Sequence, residues 1–355
     1  MLQSPVRRYI LSNLTQHQKD IVKAAVRKFG LSRQAVLRHM KVLILDGKIE
    51  AHGKTRDRYY VLKPLVDELF EFEIIHSLDE DVIGRRHIYP HLKDCSRNLR
   101  QICEYGFSQI MNNVIVHSRA QRCKVRLLIN EQSINFKIWD NGEEGLLSRV
   151  ASSYKLDDPR CAALELTKGK ISTDFEHHTG EGIFFVSRLF DSISIRSNGL
   201  ELIHNQADDK WLIQRNGKQV CGTSVSMHIR RSAEQTIEGV MARFSTLSDG
   251  SLFDRTEVPV SLVRVGSETL MSRAQAQRLL RGLNHFDEVT FDFSNIQTIG
   301  QPFADEIFRV FPHKNGGLEF NTINATPEVE SMIARAANGK NGYLETNGIS
   351  DGGQN

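Results

Sequence analysis

The sequence predicts a multidomain protein of mixed architecture, α/β (α+β), and three observations carry that expectation. Its 355 residues suffice for two or three domains at roughly 100–200 residues each. Its apolar residues switch between helical and strand periods, as at Ile110, Met111 and Val114 and then at Ile134, Phe136 and Ile138. Its charge is split: residues 1–63 hold fourteen Lys and Arg against four Asp and Glu, a net +10, so the overall +3 leaves −7 for the rest. Such a split suggests that the N-terminal part meets a polyanion. Pro64 marks a first boundary, because the residue before a proline is turned away from helix. The polar stretch from Ser245 to Gly250 marks a second. The expected segments are therefore 1–63, 64–232 and 250–337, and the Gly- and Asn-rich tail 338–355 is expected to be disordered.

Composition narrows the class. With 40% hydrophobic and 25% charged residues, the chain reads as an ordinary folded protein. No apolar run approaches the roughly 18 residues of a membrane helix, and the first residues carry charge (Arg7, Arg8) without a signal-type apolar region. Cys95, Cys103, Cys123, Cys161 and Cys221 are scattered, odd in number and without a C-x-x-C pair, which argues against a disulfide framework or a structural zinc site. A cytoplasmic protein without membrane contact is expected.

In the first segment, Ile21, Val22, Ala25 and Phe29 share a helical face and Gly30 ends the helix. Ser32 can cap a second helix that turns Ala35, Val36, Met40, Leu43 and Ile44 inward. Its other face offers Arg33, Gln34, Arg38, His39 and Lys41. Residues 48–62, KIEAHGKTRDRYYVL, read as a hairpin around GKTRD. This order resembles a winged helix-turn-helix. The resemblance implies double-stranded DNA as partner, with Arg33, Gln34, Arg38 and His39 facing base edges and Lys54, Arg56 and Arg58 meeting phosphates. The plainer reading is a protein-contact module with a solvated basic face.

The middle segment carries four motifs. In FSQIMNNVIVHS, residues 107–118, Gln109, Asn113 and His117 lie four apart on one helical face, and an amide oxygen suits magnesium. In INFKIWDNGEEG, residues 134–145, Asp140 ends a half-buried strand and can accept a hydrogen bond from an adenine amine. Gly142 and Gly145 there permit close backbone approach. In HHTGEGIFFVSRLFD, residues 177–191, Gly180 and Gly182 open a helix whose N-terminus suits phosphate. Lys168 and Lys170, just upstream, are read as part of a lid whose lysines reach a terminal phosphate. In CGTSVSMHI, residues 221–229, Thr223 opens a strand and can hold a water against the base. Each motif alone is a turn or a cap.

Together, in this order, the four motifs resemble the nucleotide boxes of the GHKL ATPases, the superfamily of DNA gyrase, histidine kinases and anti-sigma-factor kinases. The resemblance covers residues of about 95–230. It implies a Bergerat-fold α/β sandwich, ATP with Mg²⁺ as cofactor, and a bacterial origin. It assigns Asn113 to magnesium and Asp140 to adenine. Gly142, Gly145, Lys170, Thr179, Gly180, Glu181, Gly182 and Thr223 complete the ATP site. Two departures stand out. The position of the usual general-base Glu holds Gln109, which cannot take a proton, and the D-N-G-x-x-G spacing is one residue longer than usual.

In the last segment, residues 272–283 read as a helix, Glu288 to Gly300 as a strand and turn, Pro302 to Phe311 as a helix, Leu318 to Ile323 as a strand and residues 326–336 as a helix. This stretch resembles the STAS domain of anti-sigma-factor antagonists, and more closely the STAS-like DUF4325 type. The D-x-S of that pattern is present at Asp292 and Ser294, but Gly300, Gln301, Pro302 and Phe303 stand where its phosphoacceptor would be. The domain then implies a protein partner rather than a phosphorylation substrate.

The expectation is an ATP-responsive, DNA-binding transcription regulator in which Mg-ATP changes domain packing or dimerisation. The alternative is a slow ATPase or an anti-sigma-type Ser/Thr kinase, doubtful at Gln109. A third reading, an adaptor that has lost nucleotide binding, conflicts with the retained Asn113, Asp140 and glycines.

Overall fold

The protein, in a computed structural model, is described over residues 4–156, 158–170, 180–217, 221–247, 252–264 and 268–338. It is a mixed α/β chain of several modules, and its contacts group it into two units that do not follow chain order. The first comprises Met1–Gly145, Leu189–Arg196 and Val220–Thr236; the second comprises Leu146–Arg188, Ser197–Gln219 and Ile237–Asn355.

The first unit opens with three helices, Pro5–Asn13, Ile21–Phe29 and Arg33–Leu45, followed by an antiparallel hairpin of Ile49–His52 with Tyr59–Leu62. Gly30, at φ 63°, closes the second helix in the left-handed conformation glycine favours. Ser32 caps the third helix by accepting from Ala35 N at 3.2 Å. The core joins Ile10, Leu14, Ile21, Ala25, Val36, Met40, Leu43, Ile49 and Tyr60. Ile44, expected inward, is 36% exposed. The helix rotates it off the stripe defined by Val36, Met40 and Leu43, which is sufficient to cover the small core.

The same unit continues into a sheet ordered Val66–Glu73, Arg122–Ile129, Ser133–Asp140, Thr223–Arg230 and Ser192–Ser197. Helix Arg97–Asn112 packs on it through Leu99, Ile102, Cys103, Phe107, Ile110 and Met111. Phe107 meets Phe136 of the sheet at 6.5 Å, and Phe136 meets Phe190 at 6.3 Å edge-on. Gly106 makes this contact close: a Cβ there would lie 2.3 Å from the Phe190 ring. Lys48 of the N-terminal hairpin pairs with Glu131 at 3.2 Å beside the turn between two of these strands.

The second unit holds helices Leu146–Ser153, Pro159–Lys168 and Gly182–Leu189, the hairpin of Leu200–Asn205 with Lys210–Arg215, and helix Ile237–Arg243. It ends in a three-stranded parallel sheet, Arg255–Pro259, Glu288–Asp292 and Glu319–Ile323 in that order. Helices Arg273–Leu280, Gln301–Asp305 and Pro327–Asn338 alternate with these strands, as parallel pairing requires, because a tight turn cannot reverse the chain twice. Strand Arg255–Pro259 carried no signal in the sequence reading. Val258, Val289, Phe291, Phe303 and Ile307 are buried around this sheet, and Phe184, Phe244 and Phe253 form a second aromatic cluster at 4.7–4.8 Å.

Candidate functional site

Strand Ser133–Asp140 buries every second residue: Ile134, Phe136, Ile138 and then Asp140. The strand period therefore delivers a carboxylate to the face that holds the apolar core, where it is only 4% exposed. A carboxylate so placed needs donors. Its Oδ1 accepts from Gly142 N at 2.9 Å and its Oδ2 from Thr223 N at 3.2 Å. Gly222, at φ 74°, brings the second strand in: a Cβ there would lie 2.4 Å from the Asp140 carbonyl oxygen. A Cβ on Gly142 would lie 2.5 Å from the Ser118 carbonyl oxygen. Two glycines thus clear the space around one acid. Cys123, the cross-strand partner of Asp140, has its thiol pushed up to about 12, by burial first and by the Asp140 charge second.

The structure brings Asp140, Gly142 and Thr223 together. Thr223 reaches the acid through its own backbone N–H. Gly145 is buried and immediately precedes helix Leu146–Ser153.

Two residues beside them, expected only to turn the chain and to open a strand, also shape the site. Asn141 accepts at its Oδ1 from Gln121 N at 3.1 Å and Arg122 N at 2.8 Å, tying the turn to the neighbouring strand. Gly222 is the other. The D-N-G and C-G-T strings hold the only signal for them, since which glycine meets which acid depends on strand pairing.

Gln109 and Asn113 are half-buried, one turn apart, where the helix widens into a π-type turn, Asn113–His117. Such widened turns recur at functional sites. Asn113 Nδ2 donates to the Gln109 carbonyl at 2.8 Å, which fixes the amide, since a carbonyl can only accept. Asn113 Oδ1 is left without a hydrogen-bond partner among the described residues.

In the second unit, Gly180 has φ 71°, Glu181 is half-buried and Gly182 begins its helix. Thr179 and the rest of 171–179 lie outside the described residues. The two lysines read as lid residues are engaged elsewhere. Lys168 is buried, and its Nζ donates to Glu165 Oε1 at 2.8 Å, Arg281 O at 2.8 Å and Arg278 O at 3.3 Å. Three acceptors match the three N–H bonds of an ammonium, so the pair is held charged although burial pushes Glu165 up and Lys168 down. Lys170 Nζ donates to the His285 carbonyl at 2.7 Å and lies 4.7 Å above the Phe286 ring; burial lowers its pKa.

On the N-terminal module Arg33, Gln34 and Arg38 are exposed and His39 half-exposed along helix Arg33–Leu45. Lys54 and Arg58 are exposed at the hairpin end, Arg58 lying 5.7 Å from the Tyr60 ring centre. The side chain of Arg56 lies outside the described residues. In the C-terminal part, Asp292 accepts from Ser294 N and from Asn324 Nδ2, each at 2.9 Å, so this carboxylate closes a turn.

Residues 275–330 match the family model of a STAS-like domain of unknown function, DUF4325, and the C-terminal part is therefore STAS-like. No curated protein matches the chain. Among the described residues no helix is long and apolar enough to cross a membrane.

Proposed function

We propose that this chain is a regulator that binds ATP with magnesium at a site around Asp140 and double-stranded DNA through its basic N-terminal module. The observation that carries the reading is Asp140 itself. A carboxylate on the core face of a strand, held by two backbone N–H groups and cleared by two glycines, suits recognition of a flat base bearing an exocyclic amine. An ionised acid cannot donate, so it favours adenine's amine over guanine's carbonyl at that edge.

The residues present fit a magnesium nucleotide. Among the described residues no group of three or more His, Cys, Asp or Glu could hold a metal by itself. A magnesium ion at the oriented Asn113 Oδ1 would take its remaining oxygens from phosphate and water, its usual habit. The bound ion would supply charge neutralisation for the phosphates. Gly180, Glu181 and Gly182, at a helix start in the second unit, are phosphate candidates by the resemblance alone.

This reading keeps residues 1–63 as a winged helix, 64–232 as a Bergerat-type ATP domain and 250–337 as the module that holds a protein partner, in a cytoplasmic protein whose domain packing or dimerisation changes with Mg-ATP. Gln109 favours a slow switch over an enzyme, because an amide supplies no general base. The second reading, a slow ATPase or anti-sigma-type Ser/Thr kinase, rests on the same site.

Equilibrium titration of the full chain with fluorescent ATP and Mg²⁺ tests the site. Asp140→Asn keeps the shape but replaces an acceptor oxygen by a donor, and binding is expected to be lost. Equal affinity in wild type and variant would overturn the assignment of Asp140.

A further inference from the structure

Among the described residues, strand Lys210–Arg215 pairs with Leu200–Asn205 and with no other strand. The bond from Asn216 N to Gly199 O, 2.7 Å, fixes the phase of this hairpin. Antiparallel residues alternate in where their backbone groups point. Gln214, Leu212 and Lys210 therefore turn N–H and C=O toward the partner strand, and Trp211, Ile213 and Arg215 turn theirs to the open edge. Among the described residues no hydrogen bond reaches those outward groups.

A groove of about 550 Å³ runs beside this edge. Consecutive residues from Trp211 to Arg215 line it, from both faces of the strand, so it follows the edge rather than one face. Arg160, Arg215 and Arg264 also line it, and no Asp or Glu does. Arg160 is paired with Asp158 at 3.2 Å, and Arg264 donates to the carbonyls of Glu268 and Asn295. Arg215 is exposed and has no ion-pair partner among the described residues. Leu212, 53% exposed, and Leu262 give the groove apolar floor.

We propose that this edge docks an extended segment of a partner protein carrying acidic side chains, added to the hairpin as a further strand. The open backbone groups supply affinity without regard to sequence, and Arg215, backed by the charge of Arg264 that its carbonyl partners do not neutralise, selects for acid. A second copy of the chain is disfavoured as occupant. Lys210 and Arg215 on two such edges would confront each other, and the strand KWLIQR has no acid to offset them. The inference is independent of the nucleotide reading.

The test uses the full chain and a library of blocked octapeptides with Asp or Glu at alternate positions and any residue between. Binding is followed through Trp211 fluorescence in a Trp139→Phe background, which leaves a single tryptophan. Tight binders are expected. Arg215→Glu should weaken them about tenfold or more, the scale of one lost charge-assisted contact. Ile213→Pro removes an outward N–H that no partner uses, a change edge strands tolerate, and should abolish binding. Backbone N-methylation of the peptide at alternate residues should do the same with charge unchanged, and it leaves the protein untouched. No enriched peptide, equal binding of N-methylated or lysine-substituted peptides, displacement by an oligonucleotide at lower concentration, or self-association that Ile213→Pro abolishes would each overturn the proposal.

Discussion

Lys168 offers the sharpest stability test. Its ammonium is 2% exposed and spends all three N–H bonds, one on Glu165 and two on the carbonyls of Arg278 and Arg281 in the STAS-like part. Lys168→Met keeps the volume and deletes the charge. Glu165, 5% exposed at its side chain, then stays buried without its cation. Breaking one partner of such a pair costs about 3–5 kcal/mol, whereas replacing both by neutral groups of similar size is far milder. Glu165→Gln added to Lys168→Met should therefore recover most of the loss, with at least about 1 kcal/mol of coupling between the sites.

The pH dependence has a definite sign. Burial raises the Glu165 carboxyl above its ordinary 4.5, and removing Lys168 takes away the largest lowering influence. A group with a raised folded pKa contributes its stability below the unfolded value and loses it as pH climbs through the folded value. The penalty of Lys168→Met should thus be larger at pH 8 than at pH 5. Urea unfolding followed by Trp211 fluorescence in a Trp139→Phe background reads the second unit. A single-variant loss below about 1 kcal/mol at pH 8, or strict additivity in the double variant, would refute the account.

Three more outcomes are expected. Gly222→Ala forces a left-handed residue to carry a Cβ 2.4 Å from the Asp140 carbonyl, so the variant should lose at least about 1–3 kcal/mol in thermal unfolding and its ATP affinity with it. Gln109→Glu restores a base to the half-buried helix face; phosphate release should rise, up to the roughly 10²–10⁴-fold that base catalysis supplies, and an unchanged rate in both proteins would show that the position does not face the phosphates. Lys54→Ala and Arg58→Ala should each weaken binding to any duplex and lower the slope of log affinity against log salt by about one, measured by anisotropy; slopes equal to wild type would remove the hairpin from the DNA interface.

Local chemistry was legible in the chain. Period-2 alternation located the strand that ends in Asp140, Ser32 and Gly30 bounded their helices, and the strand–helix alternation after residue 272 indicated the α/β module whose STAS-like character a family model supports. These signals are written within a few residues, where backbone preference and side-chain spacing act directly. The fate of Lys168 and Lys170 was not legible. Both sit beside a glycine in a pattern that suits phosphate, yet both are committed to carbonyls more than a hundred residues away. Strand Arg255–Pro259 was invisible because a strand of five residues at the edge of its sheet is defined by its one pairing partner, Glu288–Asp292, rather than by its own sequence.

The sequence by itself therefore determined the mixed architecture, the basic N-terminal module and the identity of the acid at the end of its strand. Only tertiary structure decided which backbone N–H groups reach that acid, which glycine clears its flank, and which lysines are already occupied. Each of those depends on distances between residues far apart in the chain, and such distances are set only when strands pair and helices pack.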